Sequence, residues 1–352
     1  MHFKTGLCLL ALSLALPAQA QSLWLFSGDA AWHLQPEQAP VLRHAKVPEL
    51  ADHFTVTRKH GLVYSNIQDD WLHFDLKTGK KNVLLKRGAL SKVAFPEVYP
   101  EPQPDGSYYA KAIFPNSISI FRLVSGKAPQ RILPRPDLYA FEPLPQGGYV
   151  FVTQERQGQE SPDFIDYIVG KKMRLWHQPP TGKARQLGAF DTIHTLRVVD
   201  QGRQVVFFTP GKTQGATLTW KLLRVPLQGG PAQAMAELVK PASTRTAPLM
   251  ATWTDLDWVV YADTIRDLMQ DHVPLQFMRQ RLGQAAQPWF THRSTTFRHD
   301  SWSPDGYLSR PRRQQGKIQV MECWSVRSGE KVAEYEYDWD QINPGYALCS
   351  DS

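Results

Sequence analysis

One phrase returns along this chain at intervals of about 49 residues, and a repeat of that length constrains the fold more than composition does. The phrase is an apolar strand, a loop, an alternating strand, a tight turn and a further strand. Its clearest copy runs Leu62-Val63-Tyr64-Ser65, then Trp71-Leu72-His73-Phe74-Asp75-Leu76, the turn Thr78-Gly79, and Asn82-Val83-Leu84-Leu85. Others are Gly148-Tyr149-Val150-Phe151-Val152 with Met173-Arg174-Leu175-Trp176 and Thr181-Gly182, and Ile318-Gln319-Val320-Met321 with Ser328-Gly329 and Val332-Ala333-Glu334-Tyr335. Alternation with period two is the mark of strands, and the turn glycines provide the positive φ that tight hairpins require. The turns fall at Pro36, Thr78, Ser125, Thr181, Gly229, Leu282 and Ser328, separated by 42, 47, 56, 48, 53 and 46 residues. One helical stretch, Thr264 to Gln270, spans about two turns and reads as a loop insertion.

Seven such units predict an all-β fold, a seven-bladed β-propeller formed as a single domain over residues 21–352. Six blades with a loose first strand is the other count that fits. The first unit, Ser22 to Arg43, has room for three strands. The segment Tyr337 to Leu348 is left over and can supply the fourth, closing the ring from both ends and removing an exposed sheet edge.

Residues 1–20 have the layout of a secretory leader: Lys4, an apolar run from Gly6 to Leu16, and the small residues of Ala18-Gln19-Ala20 before Gln21. The run is shorter than the roughly 20 residues of a membrane-spanning helix. A periplasmic or secreted, monomeric protein without a membrane span is the expectation. Beyond the leader the cysteines are Cys323 and Cys349. An oxidising compartment permits them to pair, which spacing alone does not decide. The formal charge of +7 is scattered, with Arg310, Arg312, Arg313 and Lys317 its only cluster, so nucleic acid is not an expected partner.

Turns precede the second strand of several units: Gln103-Pro104-Asp105-Gly106, Pro145-Gln146-Gly147-Gly148, Asp200-Gln201-Gly202 and Ser303-Pro304-Asp305-Gly306. These have ordinary turn chemistry, with too few carboxylates for calcium. The runs Pro104-Asp105-Gly106-Ser107-Tyr108-Tyr109 and Ser303-Pro304-Asp305-Gly306-Tyr307 resemble the TolB-type and WD-like propeller repeats of bacterial envelopes. Trp253-Thr254-Asp255-Leu256-Asp257 is a degenerate copy. The resemblance implies architecture and brings no site residues; TolB-type proteins also carry an N-terminal α/β domain that has no counterpart here.

Catalytic signatures are missing. No serine has glycines two residues to either side, as a nucleophile elbow requires. Gly211-Lys212-Thr213 ends like a phosphate loop, but Val206 stands where the earlier glycine belongs. No paired-histidine zinc motif occurs, and no cofactor is expected. The closest histidine spacings, His53 with His60 and His292 with His299, say little, because a propeller axis gathers residues from different blades. Propeller-bearing prolyl peptidases need a further hydrolase domain, for which this chain has no room.

Loops between second and third strands share one face of a propeller with the connections between blades. Three are expected to be long here: about Gln154 to Lys172, Pro210 to Thr219 and Asp263 to Pro274. Long loops on a rigid scaffold carry binding. The candidate binding residues are Asp69, Asp70, Trp71, Asp163, Asp166, Trp220, Asp267 and Asp271, with Arg310, Arg312 and Arg313 placed in the loop of the last blade. They describe a docking face with acidic and basic sectors for an envelope protein or peptide. The alternative is a glycan-active lyase or hydrolase with its residues at the axial mouth.

Overall fold

A computed structural model describes residues 22–27, 30–35, 40–44, 54–57, 61–66, 69–90, 95–114, 117–133, 135–154, 172–241, 247–262, 275–292, 302–342, 344 and 346–351. They form seven small antiparallel sheets in a ring, a seven-bladed β-propeller. Each blade is named here from its innermost strand outward. Blade 2 is Phe54–Val56, Gly61–Ser65, Trp71–Asp75 and Lys81–Leu85; blade 3 is Phe95–Val98, Tyr108–Phe114, Ser117–Leu123 and Gln130–Leu133. Blade 4 is Leu138–Pro143, Tyr149–Gln154, Met173–Gln178 and Arg185–Phe190; blade 5 is His194–Val199, Gln204–Gln214, Thr217–Pro226 and Gln233–Pro241. Blade 6 is Met250–Thr252, Trp258–Ala262, Leu275–Arg281 and Gln287–His292. Blade 7 has three described strands, Tyr307–Gln315, Ile318–Ser325 and Lys331–Asp338, with Trp302 bridging to Leu308 on the inner side.

Blade 1 is assembled from both ends of the chain. Ser22–Ser27, Ala30–Leu34 and Val41–His44 are its outer three strands, and Tyr346–Ser350 is the innermost. The closing strand is shorter than the leftover segment suggested, because Tyr337 pairs with Gln319 inside blade 7. Antiparallel pairing of Leu23 with Cys349 and Leu25 with Ala347 joins the termini.

The ring is held by seven apolar clusters, each shared by two neighbouring blades. The clearest demonstration is blade 2, whose second strand is apolar on both faces. Leu62 and Tyr64 point toward Phe26 and Leu348 of blade 1, while Val63 points toward Val98 and Ala110 of blade 3. A strand buried on both faces reads as a continuous apolar run, which is why Leu62-Val63-Tyr64 and Val205-Val206-Phe207-Phe208 lack polar alternation. The last cluster packs Tyr307, Met321, Tyr335 and Tyr337 of blade 7 against Leu23, Leu25 and Leu34 of blade 1. Closure is therefore apolar packing, and not the strand pairing alone. Cys323 and Cys349 are disulfide-bonded across this seam, with Cα atoms 5.8 Å apart. Ser309 Oγ accepts the Cys349 N–H at 2.9 Å, and Tyr307 donates to Asp351 at 2.7 Å.

All the expected tight turns that are described link third to fourth strands, and Gly79, Gly126, Gly182, Gly229, Gly283 and Gly329 all have positive φ. The expected turn at Pro36 and the expected helix at Thr264 to Gln270 lie outside the described residues. No helix among the described residues is long and apolar enough to cross a membrane.

Candidate functional site

The loop face differs from expectation in three places. Pro210 to Thr219 is not a loop: the second and third strands of blade 5 run through it to a turn at Gly215 and Ala216, with Thr213 opposite Leu218. The outer strand follows as far as Pro241, opposite Thr217, so blade 5 carries a three-stranded ribbon. Thr213, Thr217 and Thr219 in that stretch are β-branched and fit a pleated strand better than a loop. Trp220 was expected where a loop rejoins a strand. It stands inside Thr217–Pro226, fully buried between blades 5 and 6 and 5.2 Å from the His194 ring, with no surface for a partner.

Arg310, Arg312 and Arg313 were expected in a loop and instead lie on the second strand of blade 7, which turns only at Gly316. Arg310 stacks over Phe290 of blade 6, 5.6 Å from the ring centre. Arg312 reaches Glu334 at 3.2 Å and Glu322 at 3.6 Å, while Lys331 reaches Glu334 at 2.7 Å. Hydrogen bonding from Lys331 holds the Glu334 carboxyl below the usual range. The arginines are thus strand residues, and Arg312 belongs to a charge-balanced lattice on the sheet. The Arg313 side chain is outside what is described.

Asp69 and Asp70 do precede the third strand of blade 2, and Trp71 opens it. Asp70 Oδ1 accepts the Arg87 N–H at 2.8 Å, and Asp69 meets the Arg87 guanidinium at 3.3 Å. Trp71 packs against the cluster between blades 2 and 3. Asp163, Asp166, Asp267 and Asp271 lie outside the described residues, as do most of the two other long loops.

The same face holds a feature that charge counting missed. Ile113, Val239, Leu249 and Ile318 are exposed, Val239 by 65%. Ile113 and Ile318 flank second-to-third turns, Val239 lies on the blade 5 ribbon opposite Thr219, and Leu249 immediately precedes the innermost strand of blade 6. The other exposed large apolar residues among those described, Val41, Leu42 and Val83, are on the outer strands of blades 1 and 2.

A second constellation lies on the innermost strands of blades 3, 4 and 5. Glu142 accepts from Arg197 Nη1 at 2.8 Å across the blade boundary, and Glu97 pairs with Lys111 at 2.5 Å. Tyr99 donates to the Phe141 carbonyl at 2.8 Å, its hydroxyl pushed well up by burial and by the nearby Glu142 and Glu97. Burial likewise raises the Glu142 carboxyl, opposed by Arg197. The Arg197 strand is bulged between His194 and Arg197, with Thr195 at φ 53°. β-Branched residues avoid that region, and bulges re-aim the side chains beside them. Interblade geometry is invisible in a repeat pattern, so these residues carried no sequence signal.

Among the described residues no group of three or more histidine, cysteine, aspartate or glutamate side chains could hold a metal. A narrow cleft at the closure seam, lined by Trp24, Phe26, Leu76, Pro304, Asp305 and Leu348, encloses a cavity of only about 10 Å³, room for about one water and far short of the roughly 300–1,000 Å³ of ligand pockets.

No protein-family model matches the chain, and no curated protein matches it in sequence. Among solved structures it is similar to the uncharacterized protein lmo1340 of Listeria monocytogenes EGD-e, with a TM-score of 0.50 and 8% identity over 90% of each chain. It is similar to TolB from Acinetobacter baumannii, with a TM-score of 0.43 and 11% identity over 93% of this chain and 64% of that one. A Mycobacterium tuberculosis puromycin-hydrolyzing peptidase gives 0.42 and 13% over 87% of this chain and 58% of that one. The chain therefore spans less than two thirds of the latter two proteins, and the likeness is one of propeller architecture.

Proposed function

We propose that this is an exported β-propeller that binds a protein or peptide partner of the cell envelope through the face carrying its second-to-third-strand turns. The observation that supports this is the concentration there of Ile113, Val239, Leu249 and Ile318. Water-exposed apolar side chains at the same end of a rigid scaffold, on blades 3, 5, 6 and 7, give a partner apolar surface to cover. The blade 5 ribbon adds paired backbone at this end, which no closure or packing requirement of the ring explains. Replacing Val239 and Ile318 together with aspartate tests the reading. Affinity capture from envelope extract should lose the proteins held by the wild type, with melting unchanged. An identical captured set would end the proposal.

The second reading, a glycan-active enzyme, is favoured by one residue. Glu142 is the carboxylate among those described whose protonated form is stabilised, as a general acid requires. Turnover of envelope polysaccharides abolished by Glu142→Gln would support it.

A further inference from the structure

The axial constellation has capacity that its internal pairs leave unused. Arg197 donates from Nη1 alone, to Glu142 and to the Leu196 carbonyl. Its Nε and Nη2 have no protein acceptor among the described residues, and the side chain is 44% exposed. Those two donors form the planar fork that receives an oxyanion bidentately. The partner carboxylate, Glu142, is only 21% exposed, so the arginine is anchored on one side and open on the other. Glu97, Glu142 and Arg197 are each within two residues of the end of an innermost strand, so the group lies near the end of the ring that carries the first-to-second turns. This is the face opposite the proposed docking surface.

We propose that Arg197 binds the carboxylate of a small acid or of a peptide C-terminus within the ring, and that Glu142 takes up one proton as it binds. Charge selects this ligand class. Glu97, Lys111, Glu142 and Arg197 sum to zero, and Tyr99 is neutral. A single added negative charge is balanced by one proton, whereas a phosphate dianion would face Glu97 and Glu142 uncompensated. The groups facing Glu142 are Arg197 from blade 5 and Glu97, Lys111 and Tyr99 from blade 3; its neighbour across its own sheet is Val150. Burial already favours the protonated form of Glu142. An anion on Arg197 weakens the opposing attraction and raises that carboxyl further. Binding and proton uptake are then linked, and affinity rises as pH falls.

The test is calorimetry of the full mature chain with lactate, a monocarboxylate ionised at both pH values used, and with triglycine, each against its amide, lactamide or triglycinamide. At least one acid should bind at pH 5.5, its amide about tenfold more weakly or not at all, and the acid should lose about tenfold in affinity by pH 7.5. Lactate alone identifies a small acid, and triglycine alone a chain terminus. Glu142→Gln, which mimics the protonated carboxyl, should bind as tightly at both pH values. Arg197→Lys should bind more weakly than wild type. Failure of both acids to bind the wild type at either pH, or equal binding of acid and amide, overturns the proposal without needing any variant to fold.

Discussion

At the scale of single residues, two kinds of position bear most of the local specification. Gly148 has φ 76°, and a Cβ there would collide with the Gln178 carbonyl and the Pro179–Pro180 backbone. Gly126 has φ 73° with nothing near its missing side chain. Gly126→Ala should cost about 1 kcal/mol from backbone strain alone, and Gly148→Ala several times that; urea unfolding of the pair separates the steric part. Asp105 illustrates the other kind. Hydrogen bonds from the Ser107 hydroxyl and N–H hold its carboxyl below the usual range, and Arg122 adds to this. A depressed carboxyl pKa stabilises the fold above its unfolded value, and that contribution disappears as pH falls through the folded one. Melting of the wild type should therefore drop more steeply than that of Asp105→Asn below about pH 4. Equal slopes would assign the turn's stability to its backbone alone.

At the scale of elements, blade 5 departs most from its neighbours. Its second, third and outer strands span 11, 10 and 9 residues, against 5 each in blade 2. Inside the ring, Phe207, Phe208 and Leu222 are packed between blades. At the tip, Gln214 and Thr217 pair across an exposed turn. Amide exchange should grade along the ribbon, with the tip exchanging by local opening and Phe207 or Leu222 only on global unfolding. Uniform protection to the tip in the isolated protein would weaken the ribbon's role as a free docking element. Blade 7 shows why strand length misleads a sequence reader. Arg312 and Arg313 look like loop chemistry, yet Arg312 is satisfied by Glu322 on the next strand and Glu334 on the one beyond it. Cross-strand ion pairs of this kind let charged residues occupy a sheet surface.

At the scale of the molecule, closure decides stability. The Cys323–Cys349 bridge ties the closing strand to the third strand of blade 7 across 26 residues. The chain-entropy account gives it roughly 3.5 kcal/mol. Cys323→Ala with Cys349→Ala should therefore lower the melting temperature by several degrees while leaving a folded ring, since the shared apolar cluster stays. Removing 339–352 should be far worse, because it strips Leu23 and Leu25 of their cover and exposes the second strand of blade 1 as an edge. A truncated chain that stays soluble and cooperative would refute the view that the ring needs its terminal strand.

The repeat, its tight turns and closure by both termini were legible in the sequence alone, because period-two alternation and turn glycines act within a few residues of each other; six blades fitted that pattern beside seven, and the tertiary structure decided for seven. The outer three strands of blade 1, Ser22 to His44, end within a residue of the expected unit, whereas the closing strand begins only at Tyr346. The disulfide was permitted by the sequence, and only the tertiary structure brought Cys323 to Cys349. Tertiary structure likewise decided that Trp220 is core, that Arg312 is paired, and that Glu142 meets Arg197 from the neighbouring blade. Each of those outcomes depends on which face of one sheet is pressed against the next. A chain read in one dimension contains the alternation of faces, but not the distance between side chains that approach one another only once the ring is shut.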